Sequence, residues 1–176
     1  EAVPDSEFFD TPGLEVYGFH SKWNPQGSRL MLSLRGFGSD SDAQFDVLSA
    51  ETEIRFEVYT TKPDGSDVRL AVPADEWEKG GHHTTWFPDG QRLSMNLDIS
   101  REGLRFTQVN YDGTGLRSMM EDVAGSGHPT LHPNGRYIVT DDYVGGRAAF
   151  GDGTVPIRLV DCETGEEKNL VRIRTQ

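Results

Sequence analysis

Hydrophobic and polar residues alternate along this chain in short runs, cut every few positions by Pro, Gly or Asp. The runs Arg29–Leu34, Arg92–Leu97 and Arg136–Thr140 each follow a Pro-x-Gly turn, and their period of two fits half-buried strands. In such a turn Pro presets φ, Asp or Asn bonds to the local backbone, and Gly takes the positive φ. A hairpin connection is the natural result. Ahead of each turn stands a histidine, followed three residues later by Trp or Leu. The copies are His20, Trp23, Pro25 and Gly27; His83, Trp86, Pro88 and Gly90; and His128, Leu131, Pro133 and Gly135. The histidines lie 63 and then 45 residues apart.

A second half-repeat completes each unit. Arg55–Thr61 runs into the turn Asp64-Gly65, and Arg105–Asn110 into Asp112-Gly113; the third unit is looser, with Val155–Val160 before Asp161 and Gly165. Four short strands in about 45 residues, with no convincing helix, is the signature of a β-propeller blade. The expected fold class is therefore all-β, built from four-stranded antiparallel blades. The divisions are 1–19 as a connection or part of a preceding blade, 20–82 as a blade with a long insertion, 83–127 as a blade, and 128–176 as a blade with an insertion. Both insertions, one between Arg35 and Glu53 and one at 145–153, fall at the junction of second and third strands and so project from one face. Each histidine is expected just before the first strand of its unit. Three blades do not close a ring, since propellers have four to eight. The favoured explanation is a piece of a longer protein; the alternative is self-association of several chains.

Composition narrows the partners. With 17 basic and 29 acidic residues the chain carries a net charge of −12, which argues against nucleic acid or an anionic membrane surface as a bulk partner. No stretch approaches the roughly 20 apolar residues of a membrane span. No signal-peptide pattern is visible and residue 1 is Glu rather than Met, which leaves cytoplasmic and periplasmic locations open. The single Cys162 excludes an intrachain disulfide and multi-cysteine metal motifs, and reads as a small buried apolar side chain.

The turn motif, its spacing and the later Asp-Gly-Ser/Thr turns resemble the TolB-like propeller repeat over roughly residues 18–172. The Gly-His starts and long insertions look most like the oligogalacturonate lyase group of that superfamily. Departures are Asn24 and His132 where the repeat prefers Ser, and Leu131 in place of Trp. The resemblance implies a seven-bladed ring with a divalent metal, manganese most often, held by histidines and a glutamine. It also implies a histidine base that drives β-elimination on a uronic-acid sugar.

Equivalent positions on innermost strands form a ring at one mouth of a propeller channel. His20, His83 and His128 are thus the candidate metal ligands, with the bland alternative that each only closes its blade turn; neutral imidazoles suit Mn, Fe or Zn. His132 and Arg147 are the candidate catalytic residues. Lys22, Arg35 and Arg101 are the candidate substrate-binding cations, because an α-proton becomes abstractable only once the uronate charge is masked. Lys22, Arg35, Arg101 and Arg147 each read first as solvated surface charge, with carboxylate recognition as the sharper alternative. His82 is an additional histidine. Asp141 and Asp142 suggest an acidic pair, weakened because neighbours on a strand face opposite ways. Asp40, Asp42 and Asp46 lack the Gly and terminal Glu of a calcium loop. No Gly-x-Ser-x-Gly elbow and no phosphate-cradling Gly-Lys motif occurs. The expected function is a metal-assisted lyase acting on uronic-acid oligosaccharides; the alternative is a TolB-like scaffold docking a peptide or protein.

Overall fold

A computed structural model describes residues 12–38 and 54–174. Three antiparallel sheets follow one another along the chain, each a meander of four strands in sequence order. The first contains β1 (Leu14–Trp23), β2 (Leu30–Gly38), β3 (Ile54–Thr61) and β4 (Arg69–Val72). The second contains β5 (Gly81–Trp86), β6 (Arg92–Leu97), β7 (Arg105–Asn110) and β8 (Arg117–Ser118). The third contains β9 (Thr130–Leu131), β10 (Tyr137–Thr140), β11 (Thr154–Asp161) and β12 (Glu167–Arg174). These are propeller blades, and the three sheets do not close into a ring.

Each element of the repeat has a local task. Gly27, Gly90 and Gly135 sit at φ 65, 66 and 74°, and their N–H groups donate to Asn24, Phe87 and His132 carbonyls at 3.0, 2.9 and 2.8 Å. That closes the turn between first and second strands. In the Asp-Gly-Ser/Thr turns the Asp64 and Asp112 carboxylates accept both the N–H and the hydroxyl of Ser66 and Thr114. The arginine opening each second strand reaches an Asp of its own blade: Arg29 to Asp67, Arg92 to Asp89 and Arg136 to Asp161.

The cores lie between blades. Met31, Val58 and Val72 of the first sheet pack with Trp86, Leu93, Met95 and Val109 of the second. Phe106, Met120 and Val123 of the second unit pack with Ile138 and Val160 of the third, with Cys162 half-buried against them. Burial of apolar surface drives this stacking, and polar links fix its register. Trp86 donates its indole N–H to the Lys22 carbonyl at 3.1 Å, Asn24 donates to the Gly90 carbonyl, and Asn96 to the Gly127 carbonyl at 3.0 Å. The repeat tryptophan thus clamps its blade to the preceding one. Trp86 is 6% exposed, whereas Trp23, on the open side of the first blade, is 56% exposed.

Two expectations need correction. His20 and His83 lie inside β1 and β5, not ahead of the first strand; only His128 precedes its strand. In β1 the cause is exposure from Tyr17 onward, with apolar alternation confined to Leu14 and Val16; in β5 a bulge carries the strand past His83. Residues 14–19 accordingly join the first sheet. A single-turn helix, α1 (Ala74–Trp77), also occurs, entered at Pro73 with Asp75 and Glu76 in its first turn. Four residues are too few for helical periodicity to register. The 145–153 insertion does join the second and third strands of its sheet. Of the first insertion, residues 36–38 extend β2, and the remainder, with Asp40, Asp42 and Asp46, lies outside the described residues.

Candidate functional site

Both long innermost strands are bulged at their histidine: the β1–β2 register shifts between Gly18 and His20, and the β5–β6 register between His82 and Thr85. Bulges re-aim side chains and recur beside functional sites. His83 adopts φ 63°, a left-handed conformation that a non-glycine residue holds only under the constraint of its surroundings.

Around that bulge a polar aromatic cluster spans the second and third blades. The rings of His83 and His128 lie 4.1 Å apart, and those of His82 and His83 4.5 Å. His83 Nε2 and the Tyr143 hydroxyl are 3.0 Å apart, and the Tyr143 ring lies 5.8 Å from His128. Asp141 accepts the His128 backbone N–H at 2.7 Å and faces its ring Nδ1 at 3.0 Å. Asp142, its neighbour, faces elsewhere and accepts from Ser126 and from the Tyr143 and Ala148 N–H groups. Asn96 donates through Nδ2 to both Gly127 O and His82 Nδ1, which leaves the His82 proton on Nε2.

Two cavities flank the cluster and share His82. The smaller, about 160 Å³, lies between the first and second blades, lined by His20, Arg35, Phe56, Trp77 and His83 among others. The larger, about 570 Å³, lies between the second and third blades.

The structure brings His83 and His128 together. His20 instead stacks on Phe19 with ring centroids 4.1 Å apart, although it lines the smaller cavity with His83. Lys22 donates to the Thr84 carbonyl at 2.7 Å and so bridges two blades. Arg35 is buried between the Phe19 and Phe56 rings, 4.0 and 4.7 Å from their centroids, and donates to the Tyr17 hydroxyl. Arg147 lines the larger cavity. Arg101 is exposed at φ 63° in the β6–β7 loop, which the Asp98 carboxylate closes. His132 sits in its Pro-Asn-Gly turn, where Nδ1 accepts the Asn134 N–H at 3.2 Å. Among the described residues, no three His, Cys, Asp or Glu side chains are grouped to hold a metal ion. Tyr143, Asn96 and Arg158 carry no mark in the sequence that sets them apart; the doubled His82-His83 is the signal that pointed nearest to this place.

Burial pushes the His83 imidazole down to about 4, helped by His82, His128 and Lys22 and opposed by Asp141. Burial and His128 also lower His82, and burial, Lys22 and Arg35 lower His20. Asp141 feels burial upward, but the hydrogen bonds from His128 outweigh it and hold the carboxyl below its ordinary value. Burial, then Asp141 and Asp142, raise Tyr143. Between about 4 and the ordinary value of 6.5 the unfolded His83 binds a proton that the folded one does not. Stability therefore falls on acidification through that window. We expect a urea midpoint lower at pH 5 than at pH 7, with about 1 kcal/mol of the loss, discounted for solvent, removed by His83→Gln. An equal pH response in wild type and variant would refute this.

No family model and no curated protein matches the chain. Solved structures do. A TolB candidate from Agrobacterium tumefaciens superimposes with TM-score 0.57 at 19% identity, covering 93% of this chain and 52% of that one. An oligogalacturonate lyase in complex with manganese gives TM-score 0.58 at 16% identity, covering 90% and 42%. An oligogalacturonate lyase from Vibrio parahaemolyticus gives 0.55 at 12%, covering 94% and 56%. This chain spans about half the length of these structures. Three four-stranded meanders stacked through interblade cores, together with these superpositions, give the chain the fold of a TolB-like β-propeller.

Proposed function

We propose that the His83–His128–Tyr143 cluster performs acid–base chemistry on an acidic carbohydrate, with β-elimination from a uronic-acid unit as the reaction. The observation that carries this reading is the His128–Asp141 pair beside the His83–Tyr143 pair. An ionised Asp141 can only accept, so it holds the His128 proton on Nδ1 and leaves Nε2 as the basic atom. His128 Nε2 then takes the proton α to the uronate carboxylate. Tyr143 returns a proton to the leaving oxygen, with its hydroxyl oriented by His83 Nε2. Arg35 or Arg147, each in a flanking cavity, masks the carboxylate so that the developing negative charge is stabilised. This assigns the base to His128 rather than to His132, which is committed to its turn. Manganese bound by His20, His83 and His128 is a proposal that the side chains do not fit as placed, because His20 stands apart on Phe19. The proton transfers above are therefore derived from the protein's own groups alone.

The test is incubation of the protein with oligogalacturonate, with and without added Mn²⁺, following ultraviolet absorbance of the unsaturated uronide. Product formation that is lost in Asp141→Asn is expected. Absence of product under both conditions overturns the reading. A second reading, a propeller that docks a peptide, is favoured by one observation: Tyr143, Val144 and Phe150, between β10 and β11, are exposed large hydrophobic residues. It predicts a stable complex without turnover, weakened by salt if the peptide is basic.

A further inference from the structure

The larger cavity contains a cation that the acid–base cluster does not use. Arg158 lies on β11 at a bulge, where the register with β12 shifts between Ile157 and Arg158. It is 4% exposed and forms part of the cavity wall. Its Nη1 donates to Glu167. Its Nε and Nη2 are buried and have no hydrogen-bond partner among the described residues. A buried guanidinium with one edge unsatisfied is costly. The Nε–Nη2 edge is also the fork whose parallel N–H groups match the two oxygens of a carboxylate.

The surroundings point the same way. Asp142 has its carboxylate filled by Ser126 and two backbone N–H groups, and Glu167 is taken by Nη1. Arg105, also on the wall, is spent on the Glu121 and Leu104 carbonyls. Glu102 and Arg147, both exposed, also line the cavity. The volume of about 570 Å³ falls within the range of small-molecule sites.

We propose that the cavity between the second and third blades binds a small carboxylate-bearing molecule, with its carboxylate on the Nε–Nη2 edge of Arg158. The 147–148 segment of the insertion forms the rim that yields to admit it. The Arg158 fork takes no part in the elimination chemistry proposed above, although His82, Tyr143 and Arg147 also line this cavity.

The probe is D-gluconate, with D-glucitol as its uncharged counterpart and inorganic phosphate as a different oxyanion, each titrated calorimetrically into the protein. Saturable binding of gluconate and none of glucitol is expected. Arg158→Lys keeps the charge and loses the fork, and it should weaken gluconate at least tenfold. Ala148→Phe fills the cavity from the exposed insertion and should abolish binding even if the lysine variant fails to fold. His128→Ala should bind gluconate as wild type does, whether or not the protein catalyses elimination. The inference falls if wild type does not bind gluconate, or if Ala148→Phe binds it unchanged. It also falls if phosphate binds as tightly as gluconate, or if His128→Ala abolishes binding while the cavity variants do not.

Discussion

His128→Ala is expected to lower the rate of uronide elimination by a factor of about 10² to 10⁴, the usual contribution of a positioned general base. Asp141→Asn should cost nearly as much, because an amide at that position can donate to Nδ1 and so place the proton on Nε2, the wrong atom for a base. Tyr143→Phe removes the proposed acid and should be slowest with substrates whose leaving group is a poor one. The three substitutions act on one relay, so the double variant His128→Ala/Asp141→Asn should be little worse than His128→Ala alone. Full additivity in initial-rate measurements would mean that the pair does not act as a unit.

The second large effect is structural. Gly127→Ala is expected to destabilise the protein by roughly 3 kcal/mol or more, as an overlap at a strained backbone position with no side-chain slack. Gly127 sits at φ 64°, and a Cβ there would overlap the backbone carbonyl and the carboxylate of Asp141. The carbonyl of Gly127 also accepts from Asn96, which in turn orients His82. One methyl group therefore presses on Asp141 and on the Asn96 bridge between blades together. Urea denaturation reads the stability; a variant within 1 kcal/mol of wild type would contradict the crowding described here. Gly135→Ala is the useful contrast, with the same sign of φ (74°) but open space around it, and it should cost only the backbone strain, of order 1 kcal/mol.

Much of the blade architecture is legible in the sequence because the motif residues act locally. The glycines after Pro, the Asp of each Asp-Gly turn and the arginine opening each second strand do their tasks within a few residues or within one blade. What hides is what depends on neighbours in space. β1 alternates only at Leu14 and Val16 and is exposed from Tyr17 onward, so the strand around His20 goes unseen. The His83 bulge depends on a register shift against β6 that no spacing reports. Tyr143 reads as an ordinary loop residue until the third blade brings it against His83. Arg158 lies in an alternating strand like other arginines, and only its bulge and its missing acceptors single it out. Of the three repeat histidines the fold gathers His83 and His128 in one cluster, and the third blade supplies Asp141 and Tyr143 around them.

The tryptophan of the repeat has a spectroscopic consequence. Trp77 and Trp86 are buried in the interblade core, while Trp23 holds its indole out in water where its counterpart in the second blade is clamped. The molecule therefore carries a fluorophore at the open side of its first blade. Anything that stacks there, another blade or another copy, should shift Trp23 emission to the blue and shield it from acrylamide quenching. Trp23→Phe would remove that signal and leave the other two indoles as an internal reference. Emission measured across protein concentrations would thus report assembly directly from this exposed indole.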